Sequence, residues 1–545
     1  MKHMSELSTT STSSLTPIKP TIEAAVEIPI LADWLGIQTQ TGKDALHRHL
    51  HQWTSDPIRL KEKSQKIRDM KNMLYTDPSL YPELRSHFTA FAAMEREMTT
   101  LWDSTTELEK ESYGELMFFR PLLQPLNGIP WVLTLWSFFR IYFLPGMSFL
   151  LPLLTLLAPY FILKYALCLP ITFSNYVGIL HSMLSGQLTS PNGSDPFMCS
   201  TSTPIAPASI LKQLAIICMT LVQGIIQPYW TYKHLHSIGN TMSHHGELLL
   251  DFKTRYHILE NRLKEHGFTL HKCPLPSLLS PPHAVSEAIL HPMYFRLALK
   301  YIGTLEVYVQ LAHQEDILPV EWLQQEKPQF SIKNSYDIHV PVEKRVPLSV
   351  SLGPEQRHAL LTGPNKGGKS TVLRALSLSA WLAHTYGCAI GHLTATPFQA
   401  LCVCLKPDDL PGTKSRFERE IEFTAQTLHY SGPILVFLDE LYHSTNPPDA
   451  KSSCIQYTTQ LWNKPHTVSV ISTHLFDWVE SADPTIQRLC CPAYYDKEGL
   501  QFTYQLQQGV CQVSSVDLLL QQNGLIPAPS RRRCRCCDPC QCALL

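Results

Sequence analysis

The stretch "LLTGPNKGGKSTVLRAL", Leu360 to Leu376, constrains this chain more than any other. An apolar run, "RHALLTG", leads into it, and "KSTVLRALSLSAWLA" leaves it with apolar residues at helical spacing. A buried strand, a glycine-rich loop and a helix in that order point to a layered α/β domain. The spacing is G-x-x-x-x-G-K-[ST], with Gly363, Gly368, Lys369 and Ser370 in register. The glycines let successive backbone N–H groups turn onto phosphate oxygens. Lys369 brings a point charge to the outer phosphates, and the Ser370 hydroxyl completes a Mg²⁺ shell. Pro364, Asn365, Lys366, Gly367 and Thr371 fill out the expected nucleotide-binding set. The N-terminus of the following helix adds its own partial positive charge.

A strand ending in acidic residues is the natural partner of such a loop, and "PILVFLDEL", Pro433 to Leu441, supplies it. An apolar strand buried on both faces delivers Asp439 and Glu440 to its C-terminal end, where ligands sit in parallel sheets. Asp439 is expected to hold Mg²⁺ together with Ser370, and Glu440 to orient or deprotonate the attacking water. "HTVSVISTH" is a further strand, ending in His474, which is placed to sense the terminal phosphate. The expected cofactors are ATP and Mg²⁺, with Glu440 and His474 as the catalytic pair.

The segments "TGPNKGGKST", "DDLPGTKSRFERE", "LDELYHSTNPPDA" and "STH" follow in this order. Together they resemble the ATPase domain of the MutS family of DNA mismatch-repair proteins. The resemblance implies an ABC-like ATPase that works as a dimer with composite sites. By position, Ser415 would reach the partner subunit's nucleotide, Phe417 and Glu420 would anchor that segment, and Asp449 would sit at the contact between subunits. This chain departs from the family pattern at three places. Lys366 stands where the family has methionine, Tyr442-His443-Ser444 where it has Gly-Arg-Gly, and Leu348-Ser349 where it has Asn-Asp. Replacing turn glycines changes which backbone angles are cheap there.

Upstream, "TQTGKDALHRHLHQWTSDPIRLKEKSQKIRDMKNML" (Thr39 to Leu74) resembles the start of the family's core domain, and equally reads as a generic helical domain. Leu46, Leu50, Ile58, Ile67, Met70 and Leu74 mark its expected helix faces. "IGTLEVYVQLAHQEDILPVEWLQQEKPQFSIKNSYDIHVP" resembles the segment that leads from core to ATPase. Between these pieces the chain becomes apolar. Ile141 to Leu163 carries no charged residue and is long enough, at about 1.5 Å per residue, to cross a hydrocarbon core. Leu211 to Trp230 is a second candidate span. Pro145, Pro152 and Pro159 recur on one helix face, so that helix should be kinked or packed against neighbours. Both flanks belong to one ATP-using body, so the crossings should be even in number, two or four. The polar loop that contains Asn192-Gly193-Ser194, a glycosylation triplet, would then lie across the membrane. The competing reading of the apolar run is a buried helical core.

A net charge of −1 gives no global basic field for nucleic acid, and no stripe of basic and aromatic residues stands out. The first hundred residues lack the Phe-x-Glu wedge that mismatch-reading family members use to unstack DNA. The start has no secretory leader, and the cysteine spacing gives no disulfide framework, as fits a reducing, ATP-containing compartment. The last residues, "RRRCRCCDPCQCALL", admit a metal site, an unstructured tail, or lipidation at Cys542 within a C-terminal C-a-a-X pattern.

The expected architecture is an α+β multidomain chain. A tail at 1–20 precedes a helical core at 21–120 and 233–335, interrupted at 121–232 by a transmembrane helical insert with a polar loop near 183–208. A P-loop α/β ATPase domain follows at 336–525, and an Arg/Cys-rich tail at 526–545. The expected function is an ATP-hydrolysing homodimer anchored in a membrane, with its ATPase facing the cytosol; DNA as a partner comes only from the family resemblance. One alternative is a soluble, nuclear mismatch-repair or recombination ATPase that binds mismatched or branched DNA. The other is an ATP-binding scaffold without turnover.

Overall fold

A computed structural model of the chain describes residues 26–103, 113–178, 222–405, 415–496 and 499–513, with residues 23, 219 and 520. The expected tail at 1–20, the polar loop with Asn192, the first half of Leu211–Trp230 apart from residue 219, the start of the "DDLPGTKS" segment and Cys542 lie outside the described residues.

The chain is α+β and divides into two compact units. One comprises Met1–Ala92, Asn261–His271 and Leu299–Leu545; the other comprises Ala93–Glu260 and Lys272–Ala298. In chain order the first helices are α1 (Ile28–Leu35), α2 (Gln40–His49), α3 (Pro57–Thr76) and α4 (Leu80–Asp103). Next come α5 (Pro130–Phe138), α6 (Leu144–Phe161), α7 (Gln227–Glu265), α8 (Pro281–Leu290) and α9 (Pro292–His313).

In the first unit, the N-terminal helices pack onto residues more than two hundred positions away. Thr39 caps α2 by accepting from the Gly42 N–H at 2.9 Å. Its hydroxyl also donates to Glu306 Oε2 at 2.5 Å, and Glu306 accepts the Gln38 N–H at 2.7 Å. Glu306 is fully buried, so these donors hold a carboxylate that would otherwise be costly inside the protein. A Cβ on Gly303 would lie 2.4 Å from the Thr41 carbonyl carbon, so α9 meets the start of α2 at a backbone distance only glycine permits. Leu46, Leu50, Ile67, Met70 and Leu74 are buried as expected, whereas Ile58 is 69% exposed. Ile58 belongs to the first turn of α3, before the face that packs begins.

The charge of α3 is directed inward as much as outward. Lys71 Nζ donates to the carbonyls of Gln314 and Ile317, both at 2.8 Å, and Lys66 Nζ sits 3.9 Å from the Tyr308 ring centroid. Carbonyls and an aromatic face suit a half-buried ammonium.

The strands follow as β1 (Ile317–Pro319), β2 (Glu321–Trp322), β3 (Phe330–Ser335), β4 (Leu348–Leu352) and β5 (His358–Thr362). After helix α10 (Lys369–Tyr386) come β6 (Cys388–Ile390), β7 (His392–Ala395) and β8 (Ala400–Cys404). Helix α11 (Arg416–His429), β9 (Ile434–Leu438), α12 (Pro447–Trp462), β10 (Thr467–Ser472) and α13 (Phe476–Ser481) come next. The last strands are β11 (Ile486–Cys490), β12 (Ala493–Asp496), β13 (Gly499–Phe502) and β14 (Gln507–Gln508).

The main sheet has the order β14-β11-β5-β10-β9-β8. Its five strands from β11 to β8 run parallel, and β14 closes one edge antiparallel. Strands β5, β9 and β10 are buried along their whole length; β9 is an unbroken apolar run, and polar residues in the other two pair with each other, His358 Nδ1 of β5 lying 2.9 Å from Ser469 Oγ of β10. Because β10 lies between β5 and β9, the three strands end side by side, and the residues that follow each of them share one edge. A smaller sheet, β2-β7-β3-β4, lies in the same unit.

In the second unit, helical backbone runs from Pro130 to Ala166 as α5, a π turn at Phe139–Phe143, α6, and a second π turn at Ile162–Ala166. The first widened turn immediately precedes Pro145 and the second follows Pro159, so the ladder adjusts where proline supplies no donor. Among the described residues, one helix is long and apolar enough to cross a membrane: Pro130–Leu150, with mean hydropathy 1.2 and 17% buried. It starts upstream of the expected Ile141–Leu163 span. Near its middle Gly239 of α7 approaches Ile141, where an added Cβ would stand 3.0 Å from Cδ1.

The contact between α9 and α2 makes a prediction. Gly303→Ala should destabilise the protein by about 1–3 kcal/mol, because the methyl meets backbone that cannot rotate away. Gly353→Ala, where no atom lies within 4 Å of the added Cβ, is the control and should leave the thermal midpoint nearly unchanged in differential scanning calorimetry.

Candidate functional site

The loop after β5 owes its shape to its glycines. Gly363 has φ 150° and lies so close to Cys491 that a Cβ would stand 2.8 Å from its carbonyl oxygen. Gly368, at φ 101°, turns the chain into α10. Asn365 and Lys366 are exposed on the loop, Lys366 with φ 66°. Lys369 opens α10 and is almost fully buried. Its Nζ donates to the Gly363 and Pro364 carbonyls at 3.0 and 3.3 Å. Burial lowers its pKa, against the opposing pull of Glu440 and Asp439.

Three strand ends then meet. Ser370 Oγ, from α10, donates to Asp439 Oδ2 at 2.5 Å, and Ser472 Oγ, from the end of β10, donates to Oδ1 at 2.6 Å. The Asp439 backbone N–H is fixed by the Cys404 carbonyl at 2.8 Å, at the end of β8. Ser472 Oγ also accepts the Glu440 N–H at 2.8 Å, so one serine ties both acidic residues to the neighbouring strand. Glu440 Oε1 lies 2.9 Å from His474 Nε2 and 3.8 Å from Lys369 Nζ. With the His474 Nε2 proton directed at Glu440, the 3.4 Å approach of Lys369 Nζ to the same nitrogen is a packing contact. The His474 hydrogen bond, opposed by burial, holds the Glu440 carboxyl down at about 2.

The expected loop residues, Asp439, Glu440 and His474 therefore converge. Ser415 and Asp449 do not join them through any hydrogen bond among the described residues. Ser415 caps α11 in a capping box with Glu418, at 3.3 Å to the Glu418 N–H and 2.8 Å from its own N–H to the carboxylate. Asp449 lies in the first turn of α12 and receives the Asn446 amide at 2.7 Å. Both are exposed. Sequence reasoning assigned no role to Ser472, although it is the first residue of the quoted "STH"; a strand-end serine has no signature apart from what it touches.

The donors at the Ser370–Asp439 contact are oxygens, a hydroxyl and a carboxylate, which is the set a hard cation such as Mg²⁺ takes. The glycine-rich turn and the start of α10 supply backbone N–H groups for anionic oxygens. The residues present fit both expected cofactors.

Residues 359–528 match the family MutS domain V. That segment is a MutS-family domain. The match covers just under a third of the chain and takes in β5, the loop, α10 and the strands that carry Asp439, Glu440 and His474.

The Glu440 carboxyl gives a pH prediction. Its folded pKa lies below the ordinary carboxylate value of about 4.3, so its stabilisation is fully present above that value. It is lost as pH falls from about 4.3 towards 2. The stability difference between wild type and Glu440→Gln, measured by urea unfolding, should be fully present at pH 5. It should then shrink steadily between pH 4 and pH 3.

Proposed function

We propose that this chain is an ATP hydrolase of the P-loop type, that it works as a homodimer, and that its second unit holds it in a membrane with the ATPase facing the cytosol. The observation that carries the reading is the convergence of Lys369, Ser370, Asp439, Glu440 and His474 from two neighbouring strand ends and one helix start. The loop N–H groups and Lys369 bind the nucleotide phosphates, and Ser370 with Asp439 binds Mg²⁺. Bound Mg²⁺ supplies charge neutralisation on the phosphate oxygens. A carboxylate with a pKa of about 2 is a weak proton acceptor, so Glu440 acts mainly by orienting the attacking water and by its charge. His474 fixes the direction of that carboxylate.

Ser415 and Asp449 are exposed, as residues that serve a second subunit must be. The membrane reading is supported by the large apolar side chains that the second unit leaves uncovered. These include Trp131 at 68%, Leu135 at 58%, Phe138 at 56% and Tyr165 at 67% exposure. Its cations lie against aromatic rings, Lys164 at 5.4 Å from Tyr160 and Lys233 at 5.5 Å from Trp230, an arrangement suited to a membrane boundary.

Two experiments test this reading. Lys369→Ala should abolish nucleotide binding, while Glu440→Gln should keep binding and lose at least about a hundredfold in turnover. Wild-type turnover from Glu440→Gln would refute the role of the glutamate, and binding without wild-type turnover would favour the scaffold. The full-length protein should resist carbonate extraction and float with phospholipid vesicles, and deletion of residues 122–230 should release a folded, ATP-binding product. Full-length protein that stays soluble without detergent, with a deletion product that aggregates, would favour the soluble DNA-repair reading.

A further inference from the structure

The turn that follows Glu440 adopts a backbone that ordinary residues avoid. Glu440 and Tyr442 both have positive φ, 50° and 58°, a region non-glycine residues keep only where their surroundings hold them. The next two residues, His443 and Ser444, are exposed, yet Tyr442 is only 4% exposed. Its ring stands edge-on to Phe417 of α11, with centroids 5.7 Å apart, and to Tyr457 of α12, at 6.5 Å. Its hydroxyl lies 2.6 Å from Thr424 Oγ1 on α11. Thr424 already donates to the Glu420 carbonyl at 2.9 Å, so the Tyr442 hydroxyl is the donor of the pair. A second tie runs in parallel: Ser444 Oγ donates to Glu420 Oε2 at 3.1 Å, and Arg416 Nε donates to the other oxygen of that carboxylate at 3.3 Å. The residues immediately after Glu440 are thus fastened to α11 from Arg416 to Thr424.

We propose that Tyr442 is a positioning residue for Glu440, and that its hydrogen bond to Thr424 makes the direction of the Glu440 carboxylate depend on where α11 lies. The proposal rests on the reading of Glu440 as the water-orienting group. The turn is short and its two left-handed residues leave it little freedom, so displacing the Tyr442 ring displaces the backbone that carries Glu440. Binding events that reposition Glu440 are felt at α11 by the same route. The first turn of α11, with exposed Ser415 at its cap, is therefore mechanically continuous with the acidic end of β9.

Tyr442→Phe removes the donor, keeps the ring, and leaves Thr424 bonded to its own helix. Thr424→Val removes the acceptor at similar volume. In full-length protein, each should lower ATP turnover about two- to tenfold, the rate equivalent of one neutral hydrogen bond, with ATP affinity within about twofold of wild type. The double variant should be no slower than the slower single one, because the two substitutions break the same contact. Hydrogen–deuterium exchange with Mg²⁺ and a non-hydrolysable ATP analogue gives a readout independent of turnover. In wild type, nucleotide should protect both 363–371 and 416–429; in Tyr442→Phe it should protect only 363–371. Retained protection of 416–429 in the variant, protection of 363–371 alone in wild type, or a joint fall in affinity and thermal midpoint would each overturn the coupling. Absence of protection at 363–371 in wild type would instead refute nucleotide binding at the loop, and the coupling with it.

Discussion

Two hydroxyls close on one carboxylate, and the rest of the site takes its position from that contact. Ser370 comes from the helix after the glycine-rich loop, Ser472 from the end of a strand far along the chain, and Asp439 from the strand beyond it. A buried carboxylate cannot stand without donors, so the three elements are held in register by the cost of leaving it unpaired. Ser472 extends the constraint to the next residue through the Glu440 N–H. The result is that the carboxylate nearest the helix start and the one paired with His474 cannot be moved independently.

The same logic of buried carboxylates governs the other end of the first unit. Glu306 is held by Thr39 and by the Gln38 N–H, and the close approach of Gly303 to Thr41 lets those donors arrive. The helices before residue 92 and the sheet that follows residue 317 therefore belong to one compact body. Lysines of α3 that end on carbonyls and a tyrosine ring reinforce this, since each exchanges hydration for contacts within that body.

The loop, the acidic strand end and His474 were legible in the sequence because their spacing is imposed by backbone geometry and phosphate chemistry. The glycines at 363 and 368 occupy angles that other residues resist, so the pattern cannot drift. Leu46 and Leu50 were legible as a helix face in the segment that starts at Thr39, but the role of Thr39 itself needed Glu306, 267 residues away. Ile58 shows the opposite limit: it keeps helical spacing but falls on the first turn of α3, outside the packed face. Ser472, Thr424 and Tyr442 were not legible, because a serine, a threonine and a tyrosine carry no signal until their partners are known. The Tyr442-His443-Ser444 stretch read as a loss of turn glycines, yet it holds a positive φ by burying a ring.

The hydrogen bond between Thr39 and Glu306 spans 267 positions of the chain, and that separation has a consequence during synthesis. At about 5–20 residues per second, the ribosome needs on the order of tens of seconds to make the partner that α2 requires. Throughout that interval the N-terminal helices present the apolar side chains of Leu46, Leu50, Ile67 and Met70 without the surface that covers them. The intervening residues, Ala93 to Glu260, emerge before that partner and, with Lys272 to Ala298, form the other unit. The folding order is therefore nested: the inner unit can close while its flanks wait, and the outer unit, with its long-range contacts, comes last and most slowly.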